Sequence, residues 1–167
     1  MTAVAAPGLS SASVREALSE VADPEIPVVS IIDLGMVEQI TVGANAIHVV
    51  LLPTFVGCPA LDVIRSAVET RLLEFDRPVD VRFTYRVPWT SERITPEGRE
   101  KLRRSGFAPP ARARHDAPIL VQLSAPVRCP SCGSNRTVLE SAFGPTQCRA
   151  IYYCAACRQP FEAFKPI

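Results

Sequence analysis

The first periodic run of apolar residues predicts a helix near the amino terminus. Four apolar residues recur at the 3.6-residue period, and Ser13 precedes them as a candidate cap. This apolar face comprises Val14, Ala17, Leu18 and Val21. The helix is expected to end near Ala22, because the two prolines of "DPEIP" (23–27) disfavour helical backbone. Residues 1–12 are predicted to be a disordered tail, and "VVSIIDLG" (28–35) an apolar turn or short helix.

Two further patterns predict a small sheet. The β-branched runs "MVEQITV" and "AIHVVLL" flank the turn signal "GAN", which indicates a hairpin over residues 36–52 that stops at Pro53. A third strand is predicted from Val79 to Val87, where apolar side chains occupy alternate positions.

Helices are predicted to follow these strands. Pro59 is a favoured first helical residue, and the residues after it place an apolar stripe on one helix face. That stripe comprises Leu61, Ile64, Ala67, Val68, Leu72 and Phe75. A last helix is predicted between a cap at Thr95 and a stop at Gly106, and Trp89 is either an exposed contact or buried beneath it. Residues 13–106 therefore predict an α+β domain, with helices packed on a three-stranded or slightly larger sheet.

The remainder of the chain divides into a linker and a cysteine-rich module. Residues 107–126 are proline-rich and are predicted to form a linker or an extended clasp. Residues 127–167 hold two CxxC pairs with 21 residues between them, and "TVLESAFG" and "CRAIYYC" are typical of strands. The pairs are Cys129 with Cys132 and Cys154 with Cys157.

Two facing CxxC turns supply four thiolates in a tetrahedron, which predicts a zinc ribbon. A module of this size lies near the limit below which metals or disulfides are usually needed for folding. Iron in a rubredoxin-like site is the alternative, and softness and geometry favour zinc. A closed four-thiolate site leaves no position for substrate, so its role is structural. Gly133, directly after the second cysteine, permits close backbone approach at the metal-binding turn.

Composition and charge exclude several functional classes. A hydrophobic fraction of 47% and a charged fraction of 21% indicate a folded globular protein, and a net charge of +1 predicts no general attraction to nucleic acid or membranes. The first residues lack the features of a signal peptide, and no apolar run reaches the roughly 18 residues of a membrane span. A cytoplasmic location is therefore predicted. In that reducing compartment, clustered cysteines bind metal more often than they form disulfides.

Cys58 stands apart from the other cysteines, between a predicted strand and a predicted helix. If Pro59 starts the helix, Cys58 is its N-cap, where unpaired amides and the helix dipole stabilise a thiolate. Gly57 beside it permits approach of a partner or a metal cluster. A buried structural cysteine that satisfies an amide would show the same pattern, so both interpretations stand.

A cysteine hydrolase is disfavoured because a base is missing. His48 lies in the predicted strand "AIHVVLL" and is expected to face solvent or a polar rim, and His115 lies in the linker. Neither histidine has the sequence neighbours of a catalytic base. A base must also lie within hydrogen-bond reach of the proton that it removes.

Acidic residues and one further cysteine remain as candidates. Asp23, Glu25 and Asp33 surround the "DPEIP" turn, where acids usually cap local amides, and a role as ligand or partner contact is the alternative. Cys148 is either a small buried strand residue or a thiol that joins a larger cluster with Cys58.

The motifs taken together resemble the PaaD (also PaaJ) subunit family of the bacterial phenylacetyl-CoA epoxidase system. The resemblance runs from about Val14 to the end and rests on five segments in order. They are "DPEIPVVSIIDLG", "PTFVGCPA", "PWTSERITPEGREKLRRSGFAPP", "CPSCGS" and "FGPTQCRAIYYCAACRQPFEAFKPI". The first part also resembles iron–sulfur assembly domains, which share "DPE", "DLG" and a cysteine at the position of Cys58. One departure is Pro166, where related chains often carry a cysteine.

This resemblance implies an accessory role without catalysis of its own. The family's oxygenase component is a diiron protein, and its reductase carries flavin and a [2Fe–2S] cluster. The chain is expected to help mature one of these centres, especially in the reductase, and a structural adaptor that docks the oxygenase components is the alternative. Cys58 would be a transient cluster ligand, with Asp23, Glu25, Asp33, Thr54 and Cys148 as possible supporting residues. A homodimer is a further expectation, because the sheet has edges.

Overall fold

The computed structural model describes residues 9–110 and 126–165. Within these ranges the chain forms three α-helices, two short 3-10 helices and six strands. The helices are α1 (Ser11–Leu18), α2 (Leu61–Leu72) and α3 (Pro96–Arg104), and the 3-10 helices are Leu73–Phe75 and Ser91–Arg93. The strands are β1 (Val37–Val42), β2 (Ile47–Leu51), β3 (Val79–Phe83), β4 (Thr137–Ser141), β5 (Arg149–Cys154) and β6 (Gln159–Phe164).

The first sheet has the strand order β1-β2-β3. β1 and β2 form the predicted antiparallel hairpin, with Val42 opposite Ile47. β3 lies parallel to β2, and helix α2 lies in the connection between them. Parallel strands need such a crossover connection. Buried residues of α1, α2 and α3 join those of the sheet in one core. The predicted α+β class is confirmed.

Helix α1 begins earlier than predicted and is shorter. Ser10 is its N-cap, because Ser13 donates its amide to Ser10 Oγ at 3.2 Å and Ser10 donates its amide to Ser13 Oγ at 3.0 Å. Ser13 is thus the partner in a reciprocal capping pair and not the cap itself. The helix does not extend to Ala22, because Ala22 pairs with Ser30 in an isolated β-bridge. All four residues of the predicted apolar face are nevertheless buried.

Strand β3 ends at Phe83, short of the predicted Val87. Its partner β2 ends at Leu51, whose carbonyl accepts the Thr84 amide at 2.9 Å. Beyond this bond β2 offers no further partner, and Tyr85 and Val87 are exposed.

Helix α3 confirms its predicted cap and stop. Thr95 Oγ1 accepts the amide of Gly98 at 3.0 Å. Gly106 adopts a φ of +88° just after the helix, the left-handed conformation that favours glycine.

The second sheet has the strand order β4-β5-β6 and is antiparallel throughout. β4 and β5 lie within the two segments predicted as strands. β6 was not predicted, because Pro160 interrupts its pattern, although Phe161 and Ala163 alternate inward as strand residues do. This three-stranded ribbon carries both CxxC turns.

The ribbon packs directly against the first domain. The rings of Trp89 and Phe164 lie 5.6 Å apart, and Trp89 Nε1 donates to the Leu34 carbonyl at 2.7 Å. Phe164 and Cys148 belong to the same buried core as the first sheet. Trp89 is therefore buried, and it is covered by the ribbon as well as by its own domain.

The start of the proline-rich segment also contacts the ribbon. Ala108 forms a bridge with Ala163, donating its amide to the Glu162 carbonyl at 2.9 Å and accepting the Phe164 amide at 3.0 Å. Residues 111–125, the greater part of the predicted linker, lie outside the described residues. So do residues 1–8 of the tail predicted over residues 1–12, whereas the end of that segment is not disordered, because Ser10 caps α1 and Ser11 begins it. None of the helices in the described ranges is long and apolar enough to span a membrane.

Candidate metal centre and thiol site

The four cysteines of the two CxxC pairs converge on one point. Their sulfur atoms all lie within 4.8 Å of one another. Cys129 Sγ lies 3.7 Å from Cys157 Sγ, and Cys132 Sγ lies 3.6 Å from Cys154 Sγ. Four Zn–S bonds of about 2.3 Å in a tetrahedron place the sulfurs about 3.8 Å apart. The donor set and its spacing therefore fit a zinc ion.

The two CxxC turns share one backbone conformation. Gly133 follows the first pair with a φ of +74°, and Arg158 follows the second with a φ of +59°. The Gly133 amide donates to the Cys129 carbonyl at 2.9 Å, and the Arg158 amide donates to the Cys154 carbonyl at 2.8 Å. Glycine enters this left-handed region freely, whereas arginine does so at a cost. The metal-binding turn therefore imposes the same geometry at both ends of the site.

Backbone amides prepare one of these sulfurs for a cation. The pKa of Cys154 is lowered to about 6, chiefly because the Cys157 amide donates to its sulfur, with a further contribution from the Ala156 amide. A thiolate is the form that binds metal. All four positions of a tetrahedral ion would be filled by protein, so zinc here would hold the ribbon together without reaching a substrate.

Cys58 is not the helix cap that the sequence predicted. Helix α2 begins at Leu61 with Ala60 as its N-cap, because residues after Cys58 form a turn before the helix starts. Cys58 donates its own amide to the Phe55 carbonyl at 3.2 Å. Burial raises the pKa of the half-buried Cys58 thiol, and a hydrogen bond from the Ala60 amide only partly offsets this. Cys58 is thus a protonated thiol at neutral pH, and a metal would displace its proton on binding.

Asp23 caps the "DPEIP" turn, as one of the two sequence interpretations expected. Its Oδ1 accepts the amide of Glu25 at 2.9 Å and the amide of Ile26 at 2.8 Å. Burial nevertheless raises the pKa of Asp23, and the neighbouring Glu25 charge adds to the effect. These two hydrogen bonds hold the backbone of the turn in place, and with it the Cα atom of Glu25.

Asp33 caps the following turn. Its Oδ2 accepts the Ser30 amide at 2.8 Å, the Ser30 hydroxyl at 3.0 Å and the Lys101 ammonium at 2.9 Å. Gly35, two residues on, has a φ of +64°, and a Cβ there would collide with the backbone of Arg93. The "DLG" motif is thereby explained by architecture, since it joins this turn to α3 and to the 3-10 helix before it.

The Asp33 contacts predict a measurable contribution to stability. Burial raises the pKa of Asp33, but the Ser30 and Lys101 hydrogen bonds outweigh it, and the pKa lies below its ordinary value of 3.8. Asp33→Asn is expected to lower the free energy of unfolding by about 2 kcal/mol at neutral pH. Since the folded pKa is depressed, this difference persists above the ordinary pKa and shrinks as the pH falls through the folded pKa.

Urea unfolding of wild type and Asp33→Asn, at neutral pH and at about pH 3, measures that difference. Glu97→Gln is the matched control, because Glu97 also contacts Lys101, at 3.3 Å, but is largely exposed. A loss in Asp33→Asn no larger than that in the control would contradict the assigned role.

Glu25 and Cys148 meet across the boundary between the first domain and the ribbon. Cys148 Sγ lies 3.8 Å from Glu25 Oε2 and 3.2 Å from Thr146 Oγ1. Cys148 is buried just before β5, in agreement with the interpretation of a small buried residue. Burial raises the pKa of its thiol, and the charge of Glu25 raises it further.

Arg149 is a residue that the sequence reasoning missed. It is buried at 8% exposure, donates to the Glu25 carbonyl, and pairs with Glu162 through an Nη1–Oε2 contact of 2.9 Å. Its guanidinium also lies 5.1 Å from the centre of the Phe107 ring. The one signal that could have revealed it was an arginine next to a cysteine in the otherwise apolar strand "CRAIYYC".

The other candidate site residues have the surroundings of ordinary surface or loop residues. His48 Nδ1 lies 3.1 Å from Asp80 Oδ2, with half of the histidine side chain exposed, as expected for a surface histidine. Thr54 is buried in the loop before Cys58. His115 and Pro166 lie outside the described residues.

Comparison with known proteins identifies both parts of the chain. Residues 11–82 match the iron-sulfur cluster assembly protein family, and residues 114–165 match the PaaD zinc beta ribbon domain family. Over 151 residues the chain is 42% identical to an Escherichia coli (strain K12) protein that is named as a subunit of a "Putative 1,2-phenylacetyl-CoA epoxidase". That match covers 90% of this chain and 89% of the relative. This chain belongs to the PaaD family.

Two solved structures share the fold of part of this PaaD-family protein. The domain of unknown function DUF59 from Bacillus anthracis is 27% identical with a TM-score of 0.51, covering 55% of this chain and 89% of that one. A conserved hypothetical protein from Thermotoga maritima is 30% identical with a TM-score of 0.51, covering 59% of this chain and 98% of that one. Each neighbour is almost fully covered, which shows that the shared fold can form without the rest of the PaaD-family chain.

The candidate residues Glu25, Cys58 and Cys148 fall in two different family matches. Cys58 and Glu25 lie within the iron-sulfur cluster assembly region, whereas Cys148 lies within the PaaD zinc ribbon region. The contact between Glu25 and Cys148 is therefore a contact between two domains of different families.

Proposed function

We propose that this PaaD-family protein helps to mature an iron–sulfur or diiron centre of the phenylacetyl-CoA epoxidase system, with the iron–sulfur reductase as its principal client. Cys58 serves as a transient ligand to the cargo. The four-cysteine ribbon holds zinc as a structural ion and takes no part in the transfer.

The observation that carries this proposal is the setting of Cys58. It is a half-buried thiol within the region that matches the iron-sulfur cluster assembly family. Burial raises the pKa of Cys58, and the negative charges of Glu25 and Asp23 add to this effect. A thiol that burial keeps neutral is a poor nucleophile at neutral pH. A divalent cation reverses this preference, because it attracts the carboxylates and replaces the proton.

A Cys58→Ala variant tests the proposal directly. We expect it to keep its fold and its zinc, since Cys58 only borders the core and lies in a loop, and to fail in passing iron to the apo-reductase. The assay is anaerobic incubation of the full chain with ferric iron and sulfide, removal of unbound metal, addition of the apo-reductase, and measurement of [2Fe–2S] absorbance in the reductase. A loss of more than about tenfold is expected, as befits removal of a ligand.

Cys58→Ser and an exposed-residue variant, Val56→Ala, complete the series, because Val56 lies two residues away and is 77% exposed. Val56→Ala should transfer iron like wild type. Full loading of the reductase by Cys58→Ala would refute the maturation role.

A second candidate function is a structural adaptor between epoxidase components. It is favoured by apolar side chains that the ribbon leaves exposed, since Phe143 is 80% and Val138 53% exposed. Exposed aromatic residues often anchor protein contacts. This alternative predicts that Phe143→Ala weakens co-purification with an oxygenase or reductase subunit while Cys58→Ala does not.

A further inference from the structure

Strand β3 lies at one edge of the first sheet and lacks the protection that the other edge strands carry. β1 and β4 each contain an irregularity in register of the kind that a β-bulge makes, and the outer side of β6 is covered where Ala108 bridges to Ala163. β3 pairs with β2 in unbroken register over all five of its residues and contains no proline. No strand or bridge of the described chain lies beyond β3. A regular, uncovered edge of this kind is open to pairing with a further strand.

The hydrogen bonds to β2 determine which backbone groups face this open edge. The Pro78 carbonyl accepts the Ile47 amide at 2.9 Å, and the Thr84 amide donates to the Leu51 carbonyl at 2.9 Å. Because backbone direction alternates along a strand, the odd-numbered residues of β3 present both their amide and their carbonyl to the open edge. These residues are Val79, Val81 and Phe83.

The side chains of β3 are complementary to those of a second, antiparallel copy of the same strand. A register that places Val81 opposite itself puts Asp80 of one copy opposite Arg82 of the other, at two positions related by symmetry. The same register puts Val79 opposite Phe83 on the other face of the sheet. Opposite charges and apolar pairs directly across an antiparallel pair both stabilise it. In this register the residues with outward-facing backbone groups also meet one another, so they form the hydrogen-bonded pairs.

The charged side chains are placed for such contacts. The Arg82 side chain is 74% exposed, and its Nε lies 2.8 Å from Asp80 Oδ2. His48 Nδ1 lies 3.1 Å from the same oxygen. An ionised carboxylate has about four acceptor sites, so Asp80 has room for a second guanidinium. Asp80 and Arg82 would face each other as a non-hydrogen-bonded pair, the position in which cross-strand side chains come closest.

We propose that two copies of this chain associate through β3, antiparallel and about a two-fold axis at Val81, so that their first sheets join into one continuous sheet. A second copy is the partner that fits, because the acidic and basic positions of β3 meet their complements when the strand runs against itself. The contact is short, so the dimer dissociates on dilution. This association is independent of the maturation role, since β3 contains neither Cys58 nor a ribbon cysteine.

Sedimentation equilibrium of the zinc-loaded full chain over a range of concentrations tests this dimer. The wild type should approach twice the mass of one chain as its concentration rises. Arg82→Asp and Asp80→Arg each place like charges opposite each other at both symmetric positions, and each should weaken self-association at least about tenfold. Arg136→Asp is the matched control, because it makes the same change of charge at an exposed arginine of the ribbon and should associate like the wild type.

Mixing the two single variants supplies a readout that general destabilisation would not produce. In a mixed pair the arginines of one copy face the carboxylates of the other, so an equimolar mixture of Arg82→Asp and Asp80→Arg chains should recover the association that each lacks alone. The double variant that exchanges the two residues should also associate.

Three results would overturn the proposed dimer. They are a wild type that keeps the mass of one chain at every concentration, an Arg82→Asp variant that associates like the wild type, and a mixture that stays monomeric. Each of them leaves the maturation role standing, because iron transfer by Cys58 is measured separately.

Discussion

Replacing Cys154 with serine is expected to remove zinc from the chain and to unfold the ribbon while leaving the first domain folded. Cys154 is the ligand whose sulfur the backbone amides favour as an anion, and it lies at the end of β5, the central strand of the ribbon. Loss of a group that only hydrogen-bonds to a ligand already weakens metal sites 10–100-fold, so loss of this ligand should exceed about 100-fold. Structural zinc modules of this kind fold only with their metal.

The measurement is zinc content of the purified protein together with amide NMR dispersion of both domains. Chelation of zinc from the wild type should reproduce the result, and the signals of β1 to β3 should stay dispersed because the related solved structures form that fold separately. Cys58→Ser is the matched control, since it alters a cysteine outside the ribbon and should keep zinc. An ordered ribbon in zinc-free Cys154→Ser would show that its own small core suffices.

Trp89→Ala is expected to detach the ribbon from the first domain as well as to destabilise the chain. The tryptophan is 3% exposed and its ring packs at 5.6 Å against that of Phe164 in β6, so its removal leaves a cavity at the boundary. Such truncations of a buried aromatic cost about 3–5 kcal/mol. Thermal unfolding of the zinc-loaded protein should change from one transition to two, because the domains lose a buried side chain that both of them contact.

Trp89→Phe separates the two contributions of this residue. It keeps a ring opposite Phe164 but removes the 2.7 Å hydrogen bond from Nε1 to the Leu34 carbonyl, and should cost about 1–2 kcal/mol. Phe143→Ala, at a ring that is 80% exposed, should change stability by less than about 0.5 kcal/mol. A single unchanged transition in Trp89→Ala would show that other contacts hold the domains together.

The sequence predicted local structure well where a residue's neighbours in the chain decide it. The hairpin, the α3 cap at Thr95 and the two CxxC turns depend on short-range patterns, and all appear in the structure. The errors lie where distant partners decide. β3 stops at Phe83 because β2 has ended, and β6 forms despite Pro160 because β5 offers a full antiparallel partner.

The surroundings of Cys58 and Cys148 show the same contrast between local patterns and distant partners more strongly. The sequence predicts a helix that begins at Pro59, whereas α2 begins at Leu61, so Cys58 does not lie at the helix N-terminus that would stabilise its thiolate. No spacing rule links Glu25 to Cys148, since they are far apart in the chain and meet only when the ribbon packs on the first domain. Arg149 gave no recognisable motif, because its partners are backbone and side-chain oxygens on separate elements.

The two ends of strand β5 lie at different sites in the protein. Cys154 at its far end belongs to the zinc cluster, and Cys148 directly precedes its first residue, about 20 Å away for a strand of this length. Loss of the zinc-binding thiolates at one end of the strand is therefore expected to disturb its other end, where Cys148 Sγ lies 3.8 Å from Glu25 Oε2. Because Cys148 and Phe164 belong to the same buried core as the first sheet, loss of the zinc site is expected to loosen the packing of the ribbon on the first domain as well as the ribbon itself.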